Sequence, residues 1–346
     1  MDLRSLINLD DFERLEVIQD VQSGLTAVIA IHNTKLGPAL GGCRMWNYPS
    51  VEDAVIDAVR LARGMTYKSA MAELPFGGGK AVVIGDPLKD KNEPLFRALG
   101  RFINRLQGEY ITGMDVGTTS ADMDWVYKET RYVTDISGSL GASGTFTADM
   151  TAYGVYLGMR ASLKKLDGLE SLSGKVVAVQ GLGKVGMFLC RYLAHAGAKL
   201  VVSDLNDELV QKAVQHYGAK AVGVNDIAQE LCDIYSPCAL GGIINDKSIP
   251  QLQCRIIAGA ANNQLAEERH GDILHQRGIL YSPDYVLNAG GIIVTAAELN
   301  DNSPSYARNC VERIYGTLMN VFERSDKLGI SAAKAANQLT EQLLSG

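Results

Sequence analysis

The spacing of apolar positions changes repeatedly along this chain, and the changes mark out its elements. Val176–Gln180 is a continuous apolar run, as a strand covered on both faces requires. Met187–Ala196 carries its apolar residues at helical spacing, and Lys199–Ser203 is apolar again. The turn Gly181-Leu182-Gly183-Lys184-Val185-Gly186 follows the first strand, and Asp204 closes the second. Strand, glycine turn, helix, strand and carboxylate in that order predict a dinucleotide-binding βαβ unit. Gly181 permits the tight turn, Gly183 lets backbone approach a pyrophosphate, and Gly186 brings the helix close to the sheet. Unpaired N–H groups at the helix start would face the phosphates. The glycine string alone also fits an α/β crossover that binds nothing; the flanking strands and Asp204 favour the nucleotide. Asp204 can accept hydrogen bonds from a ribose diol but repels a 2′-phosphate, and Leu205, Asn206 and Asp207 bring no arginine. The expected cofactor is therefore NAD, not NADP.

The front half has its own pattern. Thr26–His32 alternates as a strand does, with His32 in a structural role at its end. The loop from Leu36 to Met45 contains Gly41 and Gly42, whose backbone could serve an anion or simply a sharp turn. Ser50 caps a helix, with Asp53 as a weak capping box and Val55, Val59 and Ala62 on its apolar face. The helix ends near Gly64 or slightly beyond and delivers Met65, Tyr67 and Lys68. Gly77-Gly78-Gly79-Lys80 then precedes a strand, and three glycines in a row read as something other than packing. No Ser or Thr follows the lysine, which excludes a nucleotide-hydrolase phosphate loop. Lys80 enters an apolar strand, where it must be paired, or held partly neutral by burial and a nearby cation. A catalytic lysine and a structural ion pair both satisfy that. Pro94–Leu106 and Asp122–Thr130 read as helices. Tyr110–Thr112 is a short strand ending at Gly113-Met114-Asp115, where Asp115 is placed to enter a cleft or to form an Asx turn. Gly138–Gly144 reads as a hinge.

The back half continues as an α/β alternation. Thr147–Leu166 is a long helix and Asp207–His216 another. Apolar strands empty into Cys238-Ala239, into Ala260-Ala261-Asn262-Asn263 and, through Pro283–Leu287, into Asn288-Ala289-Gly290-Gly291. Strand ends of a parallel sheet are where its ligands lie, and amides there can hold polar groups without adding charge. Ser305–Phe322 and Ile330–Leu344 are helical. His270 and His275 lack a cysteine or carboxylate set at ligand spacing, so no metal is expected.

Composition narrows the classes. With 346 residues two domains are the natural prior, and 47% apolar residues fill both. A net charge of −6, without basic blocks, argues against nucleic acid. Met1–Asp11 has no long apolar run, so no signal peptide is expected, and no stretch is long enough to span a membrane. The six cysteines show no Cys-x-x-Cys spacing and read as reduced thiols of a cytoplasmic protein.

Taken in order, Leu40-Gly41-Gly42, Gly64-Met65-Thr66-Tyr67-Lys68, Gly77-Gly78-Gly79-Lys80, Asp115-Val116-Gly117-Thr118, Gly181–Gly186, Ala260–Asn263 and Asn288-Ala289-Gly290-Gly291 resemble the glutamate, leucine, phenylalanine and valine dehydrogenase family. The resemblance covers nearly the whole chain and is closest to the leucine dehydrogenases. It implies an α/β protein in which a substrate and oligomerisation domain and a Rossmann-type NAD-binding domain are separated by a cleft. The first would comprise residues 1–144, rejoined by the C-terminal helix 330–346, and the second residues 145–329. It implies a homo-oligomer, with octamers typical of the leucine enzymes. It also implies reversible oxidative deamination of an apolar amino acid, leucine, valine or isoleucine, to a 2-oxo acid and ammonia. Lys68 would hold the substrate carboxylate with the backbone of Gly41 and Gly42 and with Asn288. Lys80 would activate water, and Asp115 would exchange protons with nitrogen. Leu40, Met65, Gly113, Ile292 and Thr295 would line the side-chain pocket. The cofactor would meet Gly181, Leu182, Gly183, Lys184, Val185, Gly186, Asp204, Leu205, Thr151, Cys238, Ala239, Ala260, Asn262 and Asn288.

Leu40 and Met65 offer no cation to a distal carboxylate, which argues against glutamate, since burying that group unpaired costs several kcal/mol. Two departures from the usual leucine-enzyme pattern bear on specificity. Gly113 and Met114 stand where alanine and glutamate are usual, and Thr295 where valine is. Gly113 is expected to enlarge the pocket, which keeps an aromatic substrate, and so a phenylalanine dehydrogenase, as the rival reading. A non-catalytic NAD-binding regulator is the rival from another class, and it has no use for two lysines and Asp115.

Overall fold

The computed structural model describes residues 12–300 and 302–345, so the expectation for Met1–Asp11 lies outside the described residues. The chain divides into two units, one running to Gly144 and including Val294–Pro304, the other Thr145–Ile293 with the residues from Ser305 on.

The first unit comprises β1 (Arg14–Asp20), β2 (Leu25–Asn33), β3 (Ala39–Leu40), β4 (Cys43–Trp46), α1 (Val51–Met71), β5 (Gly77–Ile84), α2 (Glu93–Arg105), β6 (Tyr110–Ile111) and α3 (Ser120–Tyr127). Its sheet runs β1-β2-β5-β3-β6. One edge of β5 is shared by two parallel partners: Gly77 and Gly78 pair β3, and Ala81–Ile84 pair β4. Alternation along the strands sends one set of side chains to each face. Val28, Ala30 and Val82 meet Ala54, Val55, Ala58, Val59 and Ala62 of α1. Ile29, Ile31, Ala81 and Val83 join the cluster containing Phe96, Leu99 and Ile103 of α2 and Met123 and Val126 of α3. Each fully buried valine or isoleucine on these faces contributes about 1.5–3 kcal/mol.

Two expectations change here. Helix α1 does not stop near Gly64 but continues to Met71, so Met65 and Tyr67 lie inside it and Lys68 in its last turn. An interior glycine costs about 1 kcal/mol of helix propensity, outweighed by burial of Ala62, Thr66, Tyr67, Ser69 and Ala70 on either side of it. The glycine run is packing after all. Gly77, Gly78 and Gly79 are the first residues of β5, and a Cβ on each would collide, with the Asn33 carbonyl at 1.8 Å, the Thr66 nitrogen at 2.1 Å and the Tyr110 ring at 2.7 Å respectively.

The second unit comprises α4 (Thr145–Asp167), β7 (Val176–Gln180), α5 (Lys184–His195), β8 (Lys199–Ser203), α6 (Asp207–Tyr217), β9 (Lys220–Ala221), β10 (Cys232–Pro237), β11 (Cys254–Ile257), α7 (Arg269–Gln276), β12 (Leu280–Tyr281) and α8 (Asp284–Leu287). The chain goes on through α9 (Gly290–Leu299), α10 (Pro304–Leu328) and α11 (Ala332–Ser345). The sheet is parallel throughout, in the order β9-β8-β7-β10-β11-β12. Numbered within the unit this is 3-2-1-4-5-6, the doubly wound dinucleotide-binding order, whose switch point falls between β7 and β10.

The expected return of the last helix to the first unit is not what the chain does. Helix α11 belongs to the second unit. Ser331 Oγ and Lys334 Nζ bind the Asp272 carboxylate at 2.8 and 2.6 Å, Tyr285 Oη donates to Asn337 Oδ1 at 3.0 Å, and Ala333 sits against Gly271. A helix face built of alanines packs wherever a close, flat surface is offered, and α7 offers one at its glycine. The six cysteines are all free. Among the described residues no helix is long and apolar enough to cross a membrane.

Candidate active site

In the first unit the chemistry gathers at the C-terminal side of β3 and in the middle of β5. Lys80 is 4% exposed, and its Nζ lies 2.9 Å from Asp115 Oδ2. Of the two ways to bury a lysine, this chain uses pairing. Asp115 stands in the loop after β6, bolted to the start of β4: Cys43 N–H donates to the Gly113 carbonyl at 2.7 Å. Asp115 N–H donates to Thr118 Oγ1 at 3.0 Å, and that hydroxyl donates to the Cys43 carbonyl at 2.8 Å. A second cation reaches the same carboxylate oxygen, Arg44 Nε at 2.9 Å. Burial pushes the Asp115 carboxyl up, but Lys80 and then Arg44 outweigh it and hold it at about 2, so the group is ionised at neutral pH.

The glycine loop packs around this pair. A Cβ on Gly41 would lie 1.9 Å from the Gly79 carbonyl and 3.2 Å from Met65 Cγ, and one on Gly42 would lie 2.2 Å from the Met114 carbonyl and 3.1 Å from Asp115 Cβ. Leu40, Gly41, Gly42, Met65, Lys80 and Asp115 are thereby held together, with Lys68 partly exposed in the last turn of α1. The Gly41 N–H is committed to the Ile111 carbonyl at 3.2 Å and cannot also serve a substrate carboxylate.

Gly113 does not enlarge a pocket. The volume its Cβ would fill already holds Thr134 Oγ1 and Asp135 Oδ2, each at 2.5 Å. Asp135 is buried in a left-handed conformation (φ 59°), and its Oδ2 accepts the Met114 N–H at 2.8 Å. Glu298 then accepts the N–H groups of Asp135 and Gly141 at 3.1 and 2.9 Å. A carboxylate thus serves the 113–115 loop from below, although Met114 brings none of its own. Thr295 belongs to the first unit with Glu298, and Ile292, 7% exposed, to the second.

In the second unit the glycine turn opens at the switch point. Gly181 has φ +100°, and a Cβ on it would strike Ala239 and Cys238 at 2.8–2.9 Å, so the ends of β7 and β10 meet there. A Cβ on Gly186 would lie 2.0 Å from the Gly181 carbonyl, whereas one on Gly183 would meet nothing within 4 Å. The open position is the N-cap of α5, where Lys184, Val185 and Gly186 form the first turn and the N–H groups of the helix start suit an anion. Asp204 is oriented by the turn itself, accepting Leu182 N–H on Oδ2 at 2.6 Å and Asn206 N–H on Oδ1 at 2.8 Å, beside an exposed Leu205. Thr151 approaches the start of α9, its Oγ1 3.5 Å from where a Cβ on Gly291 would be.

Asn288 is 5% exposed; its Nδ2 donates to the Ala260 carbonyl at 3.0 Å and to Asn262 Oδ1 at 2.8 Å. Its Oδ1 has no partner among the described residues. That orphaned acceptor fits a donor such as a carboxamide NH₂ or an amine, and the committed Nδ2 does not fit a carboxylate, which revises the expected contact of Asn288 with the substrate carboxylate. The turn, the carboxylate and the orphaned acceptor together fit a nicotinamide dinucleotide.

The sequence model of the Glu/Leu/Phe/Val dehydrogenase dimerisation domain matches residues 14–132, and that of the Glutamate/Leucine/Phenylalanine/Valine dehydrogenases matches residues 141–214 and 203–339. The chain belongs to this family. It is 56% identical to the leucine dehydrogenase of Geobacillus stearothermophilus over 99% of this chain and 93% of that one. It is 45% identical to the phenylalanine dehydrogenase of Caldalkalibacillus thermarum, over 97% and 92%. The structure of L-tryptophan dehydrogenase from Nostoc punctiforme superposes with a TM-score of 0.85 at 42% identity, covering 99% of this chain and 97% of that one.

Within this member of the family, three residues at the centre carry no sequence signal of their own: Arg44, Asp57 and Tyr48. Arg44 Nη1 binds Asp57 Oδ2 at 3.0 Å, and Tyr48 Oη donates to the same oxygen at 2.5 Å. Elsewhere, Asp246, Glu267 and His270 come within ligand distance of one another. Arg269 binds both carboxylates, and His270 Nδ1 accepts the Glu267 N–H at 3.0 Å, which leaves its Nε2 as the N–H facing Asp246.

Proposed function

We propose that the chain catalyses the reversible, NAD-dependent oxidative deamination of L-leucine, and of valine and isoleucine, to the 2-oxo acid and ammonia. The observation that carries this is the buried Lys80–Asp115 contact at 2.9 Å in a chain 56% identical to a leucine dehydrogenase. A bound dinucleotide would supply the acceptor for the hydride that leaves Cα of the amino acid and makes it an iminium ion. Lys80 gives up its proton when the substrate ammonium replaces it as the partner of Asp115, and as the neutral amine it takes a proton from the water that adds to the iminium carbon. Asp115, ionised, takes the proton from the substrate nitrogen and returns it as ammonia leaves the carbinolamine. The short Lys80–Asp115 contact lets a proton pass between the water and the nitrogen without leaving the pair. Lys68 holds the substrate carboxylate. Leu40 and Met65 present an apolar wall, and the filled space at Gly113 removes the reason to expect an aromatic side chain there.

Asp204 supports NAD over NADP, because a 2′-phosphate would meet a carboxylate already held in place by two backbone N–H groups. Six free cysteines support a reducing compartment, the cytoplasm. The first unit is read as the assembly unit of a homo-octamer. Lys80→Ala tests the chemistry: kcat should fall by about a hundredfold or more, while NADH, titrated by its fluorescence, still binds. Retained full activity would remove Lys80 from the mechanism.

A further inference from the structure

Lys80 and Arg44 donate to the same oxygen of Asp115, Oδ2, at 2.9 Å each. Among the described residues no group hydrogen-bonds Oδ1. A carboxylate with one oxygen doubly held and the other open has a fixed direction, and the open oxygen is the one able to exchange a proton with substrate. Lys80 cannot fix that direction alone, since one ammonium on one oxygen leaves the carboxylate free to swing about the contact.

Arg44 is itself anchored. It lies on β4 opposite Val82 of β5, so it shares a face with Lys80 two residues back along that strand. Cys43 and Met45 on either side are fully buried in the opposite core. Its guanidinium divides its fork between two elements, Nε to Asp115 and Nη1 to Asp57 of α1, and Tyr48 closes on the same Asp57 oxygen. The side chain is only 20% exposed. A planar fork can span two carboxylates at fixed angles, which a single ammonium cannot do.

We propose that Arg44, braced by Asp57 and Tyr48, is a positioning residue for proton transfer that aims Asp115 Oδ1 at the substrate nitrogen. This rests on the reading of Asp115 given above. Arg44 acts only through that carboxylate, so its removal should lower turnover and leave ligand affinities largely alone.

The test is a kinetic cycle over Arg44→Gln, Arg44→Lys, Asp57→Asn, Asp115→Asn and the Arg44→Gln/Asp115→Asn double variant, each checked for wild-type oligomer size and thermal midpoint. Arg44→Gln should lower kcat by about tenfold or more, with the KM for NAD within about twofold of wild type. Arg44→Lys should recover part of the loss. Asp57→Asn, which keeps the arginine but frees it, should lose a smaller factor, and it stands in if Arg44→Gln fails to fold. In the Asp115→Asn background, removing Arg44 should cost almost nothing more, because the group it aims is gone. An Arg44 loss of equal size with and without Asp115 would overturn the proposal, as would unchanged kcat in Arg44→Gln and Asp57→Asn while Asp115→Asn is crippled. Full activity of Asp115→Asn itself would instead sink the underlying role of the aspartate.

Discussion

Asp135 shows what one residue does at this centre. Burial, with the neighbouring Glu298 carboxylate adding to it, raises its carboxyl to about 6 against the opposing Met114 N–H and Thr134 hydroxyl. In the unfolded chain it titrates near 3.9. Between these values the native state holds the proton and the unfolded state has lost it. Stability therefore falls as pH rises from about 4, and the loss is complete above about 6, with an upper bound of about 3 kcal/mol. Asp135→Asn should then be more stable than wild type at pH 7.5 by about 1–3 kcal/mol and no more stable at pH 4, measured by urea unfolding at both values. An advantage of equal size at both would show that ionisation is not what the site costs. Lys80 and Asp115 could be read from the sequence because each sits at a strand or strand end beside glycines. Arg44 could not, because a single arginine after a glycine loop gives no sign of a carboxylate 71 positions away. Asp135 was hidden for a different reason: it occupies space that Gly113 vacates, and an absent side chain reads equally well as an empty pocket.

At the level of elements, the parallel sheet of the second unit was legible because its central strand β7 is an apolar run and β8, β10 and β11 carry apolar stretches that end at polar, glycine or amide turns. Strand β1 was not. Among the described residues it pairs only with β2, at the sheet edge, and its Arg14-Leu15-Glu16-Val17 pattern leaves Val17 55% exposed, so no buried face announces it. Strands β3 and β4 are too short to carry a period and exist because β5 has an edge to share. Helix α9, Gly-Gly-Ile-Ile-Val-Thr-Ala-Ala-Glu-Leu, is apolar nearly all round and shows no amphipathic stripe. The glycine run of β5 misled because close helix-to-strand contact and close ligand approach demand the same residue. Gly78→Ala separates them: its Cβ would fall 2.1 Å from the Thr66 nitrogen, which is backbone and cannot turn aside. We expect a loss of about 1–3 kcal/mol or more in urea unfolding. Unchanged stability with a fall in kcat alone would return the glycine to a ligand role.

For the whole molecule, two units divide the work, one with the lysines and the acid, the other with the dinucleotide turn. Among the described residues the outer edge of β1 has no partner and Val17 is exposed, a feature that natural sheets protect, and assembly of the first unit would protect it. Light scattering should give about eight times the 37.2 kDa of one chain, and a monomer at micromolar concentration would refute the assembly. The family and the dinucleotide fold leave the side chain of the substrate as the question on which the rest turns. One methylene of fit in an apolar pocket is worth about 1–3 kcal/mol, so rates should grade across branched chains and not switch. The most direct measurement is therefore the initial rate of reduced-cofactor formation with L-leucine, L-isoleucine, L-valine, L-phenylalanine and L-glutamate, each with NAD and with NADP, with released ammonia assayed in parallel. We predict leucine and its branched neighbours as the best substrates with NAD, one ammonia per NADH, and little turnover of glutamate or with NADP. Phenylalanine turned over faster than leucine, or NADH formed without ammonia, would contradict the account.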